Sequence, residues 1–207
     1  MPRNPQQERG QERVDAILDA AAKLIAEKGV SGLTVHGIAK RAHTSIGSMY
    51  HFFPGLDAII AGLAERHARM IELMNVQVRS TSKASWERMS AAQAADTVVT
   101  PLLEYLEANP HIGSPYGVAA YRAKGSKEGA RLLAREEEGE VDGADMIEAV
   151  IAARNPHLSP ELRRTRAALF IVALSGTVNL LRRISMNRAL AVCELKRALA
   201  VYLDGVG

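Results

Sequence analysis

Between Gly29 and Pro54-Gly55 the chain has room for only two very short helices, and each is introduced by a hydroxyl side chain. Thr34 is placed to cap a helix through Ile38, Ala39 and Arg41. Ser45 is placed to cap another through Gly47, Met49 and Phe52, because a side-chain oxygen at that position accepts from a free backbone N–H. Upstream, Val14, Ile17, Leu18, Ala21, Leu24 and Ile25 recur at steps of three and four, which predicts a helix from about Gln11 to Lys28 with one apolar stripe. Gly29 stops that helix, since a left-handed cap costs glycine little. Pro54-Gly55 ends the third. Three helices within 55 residues, the last two short and joined by the turn Ala42-His43-Thr44, are the sequence form of a helix-turn-helix.

The third of these helices has two surfaces to satisfy. Met49 and Phe53 lie one turn apart and are expected to hold it on the first two helices. Ser45, Ser48, Tyr50 and His51 are left facing outward, all able to hydrogen-bond to phosphate or to base edges. Gly47 carries no side chain, which permits close approach of its backbone either to DNA or to the preceding helix.

Beyond residue 55 the pattern stays helical. A long fourth helix is expected from Leu56 to about Arg79, then a polar loop over Ser80–Ser85, then a helix from about Ser90 to Ala108 that Pro101 should bend. The glycine-rich segment 110–126 admits only a short, irregular helix around Val118–Arg122. A polar helix over about Lys127–Arg154 follows, weakened by its glycines. Ser159-Pro160 is a good helix start and should lead a helix to about Arg183; a last one begins after Ser185 and ends near Leu203. The fold class expected is all-α: an N-terminal three-helix helix-turn-helix domain (residues 1–55) and a C-terminal helical bundle (residues 56–207), about nine helices in total.

Composition excludes several classes. Aromatics are 4% of the chain while Ala and Leu abound, which favours helix over sheet. The longest charge-free run in the apolar C-terminal half, Ala167–Leu181, is shorter than the roughly 20 residues that span a bilayer and reads as a buried helix. No apolar signal-peptide core opens the chain, so a cytoplasmic protein with no membrane partner is expected. The single cysteine, Cys193, excludes an internal disulfide, and its apolar helix suggests a buried, inert thiol. Residues 1–60 hold seven Lys/Arg against six Asp/Glu, a net of +1. Bulk charge therefore argues for nucleic acid only weakly, and the case rests on the motif.

The motif residues are familiar as a set. Arg13, Ile17-Leu18, Ala20-Ala21, Gly29, Thr34, Ile38-Ala39 and the run Ser45-Ile46-Gly47-Ser48-Met49-Tyr50-His51-Phe52-Phe53 resemble the tetracycline-repressor (TetR) family of bacterial regulators in order and spacing, over about residues 11–63. The resemblance implies that Thr34 caps the second helix and touches a phosphate, that Ser45, Ile46, Gly47 and Ser48 approach base edges, and that Thr44 belongs to the same DNA-binding set. Tyr50 and His51 would grip the backbone, and Arg13, or an arm with Arg3 and Arg9, would reach phosphates or the adjacent minor groove. Three positions depart from the family pattern. His43-Thr44 stand where Gly-Val is usual, Leu56 where a phosphate-contacting Lys is common, and Ile25 where Phe is usual. His tolerates a left-handed turn better than most residues with a side chain, whereas Leu56 removes one expected contact.

The resemblance also implies a homodimer that reads a palindromic double-stranded DNA operator and is released by a small-molecule effector. The interface expected comprises Leu169, Val172, Ala173 and Gly176 on one helix with Ala191, Leu195, Ala198 and Tyr202 on the next, although both stripes could instead be buried in their own core. Effector-pocket candidates are Met70, Met74, Tyr105, His111, Tyr116, Tyr121, Met146 and Asn179. Their mostly apolar character suggests a mostly apolar ligand, though Met and Tyr at helical spacing also build ordinary cores. No cofactor, metal site or catalytic residue is expected. His-Glu-x-x-His and glycine-rich phosphate loops are missing from the sequence. A helix-turn-helix adapted to bind protein instead of DNA remains the alternative to a gene regulator.

Overall fold

The computed structural model describes residues 5–109, 127–183 and 185–204. Among them are nine α-helices, one 3-10 turn and no strand. In chain order they are α1 Pro5–Lys28, the 3-10 turn Val30–Gly32, α2 Val35–Arg41, α3 Ile46–Phe52, α4 Leu56–Ser80, α5 Lys83–Arg88, α6 Ala91–Ala108, α7 Lys127–Arg154, α8 Pro160–Arg183 and α9 Arg188–Leu203. The all-α expectation holds. The irregular helix expected near Val118–Arg122 lies outside the described residues.

Helix starts follow side-chain chemistry. Ser90 and Gln93 form a reciprocal capping box: the Ser90 N–H donates to Gln93 Oε1 at 2.8 Å and the Gln93 N–H to Ser90 Oγ at 3.2 Å. Ser159 Oγ accepts from Leu162 N at 3.2 Å, as expected of a cap before Pro160. Asn187 caps α9 through Leu190 N at 3.1 Å. Two boundaries differ from the sequence expectation. Helix α1 begins at Pro5, well before Gln11. The polar stretch Ser80–Ser85 is mostly not a loop: Ser82 Oγ accepts from Ser85 N at 3.2 Å and starts α5, whose Trp86 is buried. Serine that looks like loop composition is here a cap.

The described residues fall into two compact units. One takes the chain up to Ala68 together with the start of α7 to Arg135; the other takes Arg69–Ala108 and the chain from Glu136 on. The first unit, the head, has a core of Ile17, Leu18, Ala21, Leu24 and Ile25 from α1, Ile38 and Ala39 from α2, Met49 and Phe53 around α3, and Ile59, Ile60 and Leu63 from the first half of α4. Ile25, where the family usually has Phe, fills that core without consequence for the exposed face. The second unit, the body, is built on Trp86, Ala94, Ala95, Val99, Leu103, Ile147, Ile151, Phe170, Leu174, Leu195, Leu199 and Leu203.

Within the body, Arg154 ends α7 by donating to three carbonyls: Trp86 O at 2.8 Å, Met89 O at 2.7 Å and Leu203 O at 3.1 Å. One guanidinium thus satisfies the exposed carbonyl ends of α5 and α9. Burial pushes its basicity below the ordinary value, offset in part by Asp204. No helix among the described residues is long and apolar enough to cross a membrane. The run Ala167–Leu181 is buried on one face only: Phe170 and Leu174 are inside, while Leu169, Val172 and Leu180 are exposed. Cys193 also departs from expectation. It is exposed on α9, because the apolar helix that carries it buries Leu195 and Leu199 on its other side.

Candidate nucleic-acid interface

The turn between α2 and α3 fixes the orientation of the whole motif. The Thr44 N–H donates to Ala39 O at 3.0 Å and the His43 N–H to Lys40 O at 3.4 Å. These two bonds define a Schellman closure of α2. The closing residue must adopt a left-handed conformation, and His43 does so at φ 50°. Imidazole bears this better than a branched side chain, so the departure from glycine at this position leaves the turn intact.

Helix α3 then starts on Ser45, whose Oγ accepts from Ser48 N at 3.1 Å. Thr34 does the same for α2, its Oγ1 accepting from Gly37 N at 3.0 Å. In both, the cap uses one lone pair and leaves the hydroxyl proton free to donate outward. Met49 is fully buried and Phe53 nearly so, both in the head core. Ile46 and Phe52 are half-buried against the same core. Ser45, Gly47, Tyr50 and His51 are exposed, Tyr50 to 52%, with Ser48 and Thr44 half-exposed. The His51 ring meets the Phe52 ring edge-on at 5.1 Å. A Cβ built on Gly47 would meet nothing within 4 Å. The glycine is therefore not there to admit a neighbouring helix.

Two ion pairs hold α1 in place, and neither could be found from sequence spacing. Arg41 on α2 grips Glu27 in a bidentate pair with both N–O distances 2.6 Å. That contact holds the Glu27 carboxyl below its ordinary range and the Arg41 guanidinium above its own. Arg66 on α4 reaches Asp19 at 2.7 Å. Arg13 and Lys40 are exposed and have no ion-pair partner among the described residues. Leu56, in place of the family's usual lysine, is half-buried against the head core.

The other sequence candidates are scattered. Of the effector set, Met70 is exposed, Met74 and Tyr105 are half-buried and Met146 is packed in the body core. His111, Tyr116, Tyr121 and the side chain of Asn179 lie outside the described residues, as does Arg3. An open groove of about 540 Å³ runs along α8, lined by Pro160, Glu161, Arg164, Thr165, Ala168 and Leu169, and contains none of the effector set. Of the interface set, Leu169, Val172, Gly176 and Ala198 are exposed, while Ala173, Ala191 and Tyr202 are half-buried. Leu195 is buried at 5% in the chain's own core. Sequence reading missed Leu190 and Val201, which stand exposed on α9.

Comparison with known proteins agrees with this geometry. Residues 17–63 match the family model of bacterial regulatory proteins, tetR family. No curated protein matches the chain. Among solved structures, a transcriptional regulator from Aquifex aeolicus is 16% identical with a TM-score of 0.67, covering 91% of this chain and 98% of its own. A ketosteroid transcriptional regulator of Mycobacterium tuberculosis is 18% identical with a TM-score of 0.63 and coverage of 92% and 93%. A transcriptional regulator from Bacillus subtilis, solved with stearoyl-CoA, is 17% identical with a TM-score of 0.64 and coverage of 93% and 99%. At such identities the structural likeness speaks for the fold alone, over nearly the full length. The likeness to the tetR family of bacterial regulatory proteins is thus carried by residues 17–63, and beyond them it is a likeness of fold.

Proposed function

We propose that the protein is a cytoplasmic, ligand-responsive repressor that binds a palindromic operator as a homodimer and is released by a small, mostly apolar effector. The observation that carries this reading is the two-sidedness of α3. Its apolar residues, Met49 and Phe53, are spent on the head core, and its hydrogen-bonding residues, Ser45, Ser48, Tyr50 and His51, face away from it. A seven-residue helix is narrow enough for the major groove. In this scheme Thr34 donates its free hydroxyl proton to a phosphate, while Ser45, Gly47 and Ser48 approach base edges with Thr44 beside them. Tyr50 and His51 hold the backbone. Ile46, half-buried, has only part of its surface left for a thymine methyl.

One such helix makes too few contacts for specific recognition, so two heads related by a two-fold axis are required. The exposed apolar side chains of α8 (Leu162, Leu169, Val172) and α9 (Leu190, Val201) supply a surface of the kind that protein interfaces cover. We assign residues 1–55 to DNA binding and 56–207 to effector binding and dimerisation, with the compact head continuing to Ala68. Support for a small-molecule effector comes from the Bacillus subtilis relative in complex with stearoyl-CoA and from a multidrug binding protein solved with imidazole, 20% identical to this chain. Release follows if the effector fits the body better at a head spacing that no longer suits DNA.

The test is a gel shift with DNA flanking the protein's own gene, followed by a salt titration and a screen for compounds that abolish the shift. Phosphate contacts make affinity fall steeply with salt. A protein that binds this DNA no better than unrelated duplex, or whose binding ignores salt, would not be this regulator. Tyr50→Phe separates contact from packing: a chain that loses about fivefold in affinity, near 1 kcal/mol for one hydrogen bond, with unchanged melting fits the scheme.

A further inference from the structure

Three of the chain's six histidines, His36, His43 and His51, lie within the α2–turn–α3 motif, and all three are exposed. They occupy its parts in turn. His36 is the second residue of α2, His43 closes the turn at φ 50°, and His51 stands near the end of α3. His36 shares the uncovered flank of α2 with Lys40, one turn on, while Ile38 and Ala39 face the core. His51 follows Gly47 and Ser48 by one turn and so shares their flank, and the Phe52 ring meets its imidazole edge-on at 5.1 Å.

Nothing acidic stands among these imidazoles. From Lys28 to Leu56 the sequence has no Asp or Glu. Of the permanent cations in that stretch, Arg41 is taken up by Glu27, which leaves Lys28 and Lys40. The charged and titratable groups on the neighbouring elements are few. The end of α1 brings Lys23, Glu27 and Lys28, Tyr50 adjoins His51 on α3, and the first turn of α4 brings Asp57. Histidine is the side chain that ordinarily changes charge between pH 5 and 8. Two uncompensated cations, Lys28 and Lys40, therefore become five once the three imidazoles are protonated. Each of α2 and α3 is seven residues long, about 10 Å of helix, and charges act through water over about that distance at ordinary ionic strength. A phosphate lying against either helix thus feels every imidazole on it, touched or not.

We propose that His36, His43 and His51 make DNA binding proton-coupled: the protein takes up protons as it docks on a duplex, and acidification tightens its grip. This rests on the reading of α3 as the DNA-facing helix, and it adds to that site a control by pH that is independent of any effector. The sign follows from charge. A phosphate favours the protonated imidazole, so the complex holds these protons more tightly than the free protein does. The gain in affinity is present at low pH and is lost as pH rises through the titration of the complex. An imidazole whose proton is held one unit more tightly contributes up to about tenfold.

The full-length protein is titrated at about pH 8 and about pH 6, across a range of salt. The probe is a tetramethylrhodamine-labelled duplex of about 30 base pairs, three turns of DNA, taken from beside its own gene. Variants are His36→Gln/His43→Asn, in which asparagine suits the left-handed turn, and the triple variant with His51→Gln added. His157→Gln is the control, because its exposed histidine lies in the turn after α7. Thermal melting at each pH checks folding. The wild type should bind at least about tenfold more tightly at the lower pH. Its slope of log K against log salt should be steeper there by up to about 0.9 for each protonated imidazole. On a logarithmic scale the double variant should lose more than half of the rise, the triple variant nearly all of it, and His157→Gln none. A wild type with steep salt dependence but equal affinity at both pH values overturns the coupling and leaves the α3 reading standing. A triple variant that keeps the wild-type rise does the same, since the protons then bind elsewhere, and so does an equal loss in His157→Gln. A wild type with no salt-dependent binding overturns the DNA reading and the coupling together.

Discussion

Replacing Gly47 with alanine separates the two ways in which a glycine can matter. Gly47 is the second residue of α3 and is exposed, and a Cβ there would touch nothing within 4 Å. Inside a helix, glycine is about 0.5–1 kcal/mol worse than alanine because it loses more backbone freedom on folding. Gly47→Ala should therefore stabilise the head by roughly that amount, a rise in melting temperature of about 2–8 °C for a domain of this size. DNA binding should move the opposite way. A methyl on the face that meets the duplex holds the backbone off by more than an ångström and breaks short polar contacts around it, an expected loss of at least tenfold, or about 1.4 kcal/mol. Differential scanning fluorimetry and fluorescence anisotropy on the same preparation read both. Gly62→Ala is the contrast, because there a Cβ would lie 3.0 Å from Phe53 Cε1 and 3.2 Å from Leu18 Cδ2. That change should destabilise the head by about 1 kcal/mol through overpacking and weaken binding only as far as it unfolds the protein. If Gly47→Ala binds DNA as well as the wild type, the N-terminal end of α3 is not where the duplex lies.

Three further outcomes are expected. Arg154→Ala removes three donors from the ends of α5 and α9. Because the freed carbonyls can partly recover water, urea unfolding followed by the single Trp86 should show a loss of about 2–4 kcal/mol; lysine, a point charge, should recover less than half. Val172, 67% exposed on α8, should as Val172→Asp turn a dimer into a folded monomer in size-exclusion chromatography and abolish operator binding while leaving helicity intact. The pair Glu27–Arg41 should appear as acid sensitivity of the head. Arg41 lowers the Glu27 carboxyl in the folded state below its ordinary value of 4.5, so its contribution is complete above that value and is lost as pH falls through the folded-state value. Glu27→Gln should flatten the acid limb of a pH–stability profile.

What could be read from the sequence was whatever local chemistry dictates. The hydroxyls of Thr34, Ser45 and Ser159 announced helix starts, and the order of apolar residues in α1 and α3 announced which face is inside. The same rule fails at Ser82, where a cap within a serine-rich stretch looks like loop and hides α5 with its buried Trp86. Periodicity says which residues share a face, but not whether the face is covered by the same chain. Leu195 fits a stripe with Ala191 and Ala198, yet it is buried in the body core while Ala198 is exposed. Cys193 is exposed for the same reason. Long-range polar contacts left no trace at all: Arg154 reaches back 68 residues to Trp86, and Arg66 back 47 to Asp19.

These contacts change how the charge of the head should be counted. A net of +1 over residues 1–60 suggests a surface indifferent to DNA. Yet of the six acids in that count, Asp19 is neutralised by Arg66 and Glu27 by Arg41, Glu8, Glu12 and Asp15 precede Asp19 at helical steps of four, three and four and so share its flank of α1, and Asp57 opens α4. Coulomb interactions between exposed groups fade over about 10 Å at ordinary ionic strength. A phosphate near α3 therefore responds to the cations and hydroxyls beside it more than to acids across the head. Lys40, His51, Tyr50 and the hydroxyl-bearing Thr34 and Ser45 are exposed on α2, α3 and their caps. The relevant quantity is the local arrangement that folding imposes, and a formal sum over the sequence averages it away.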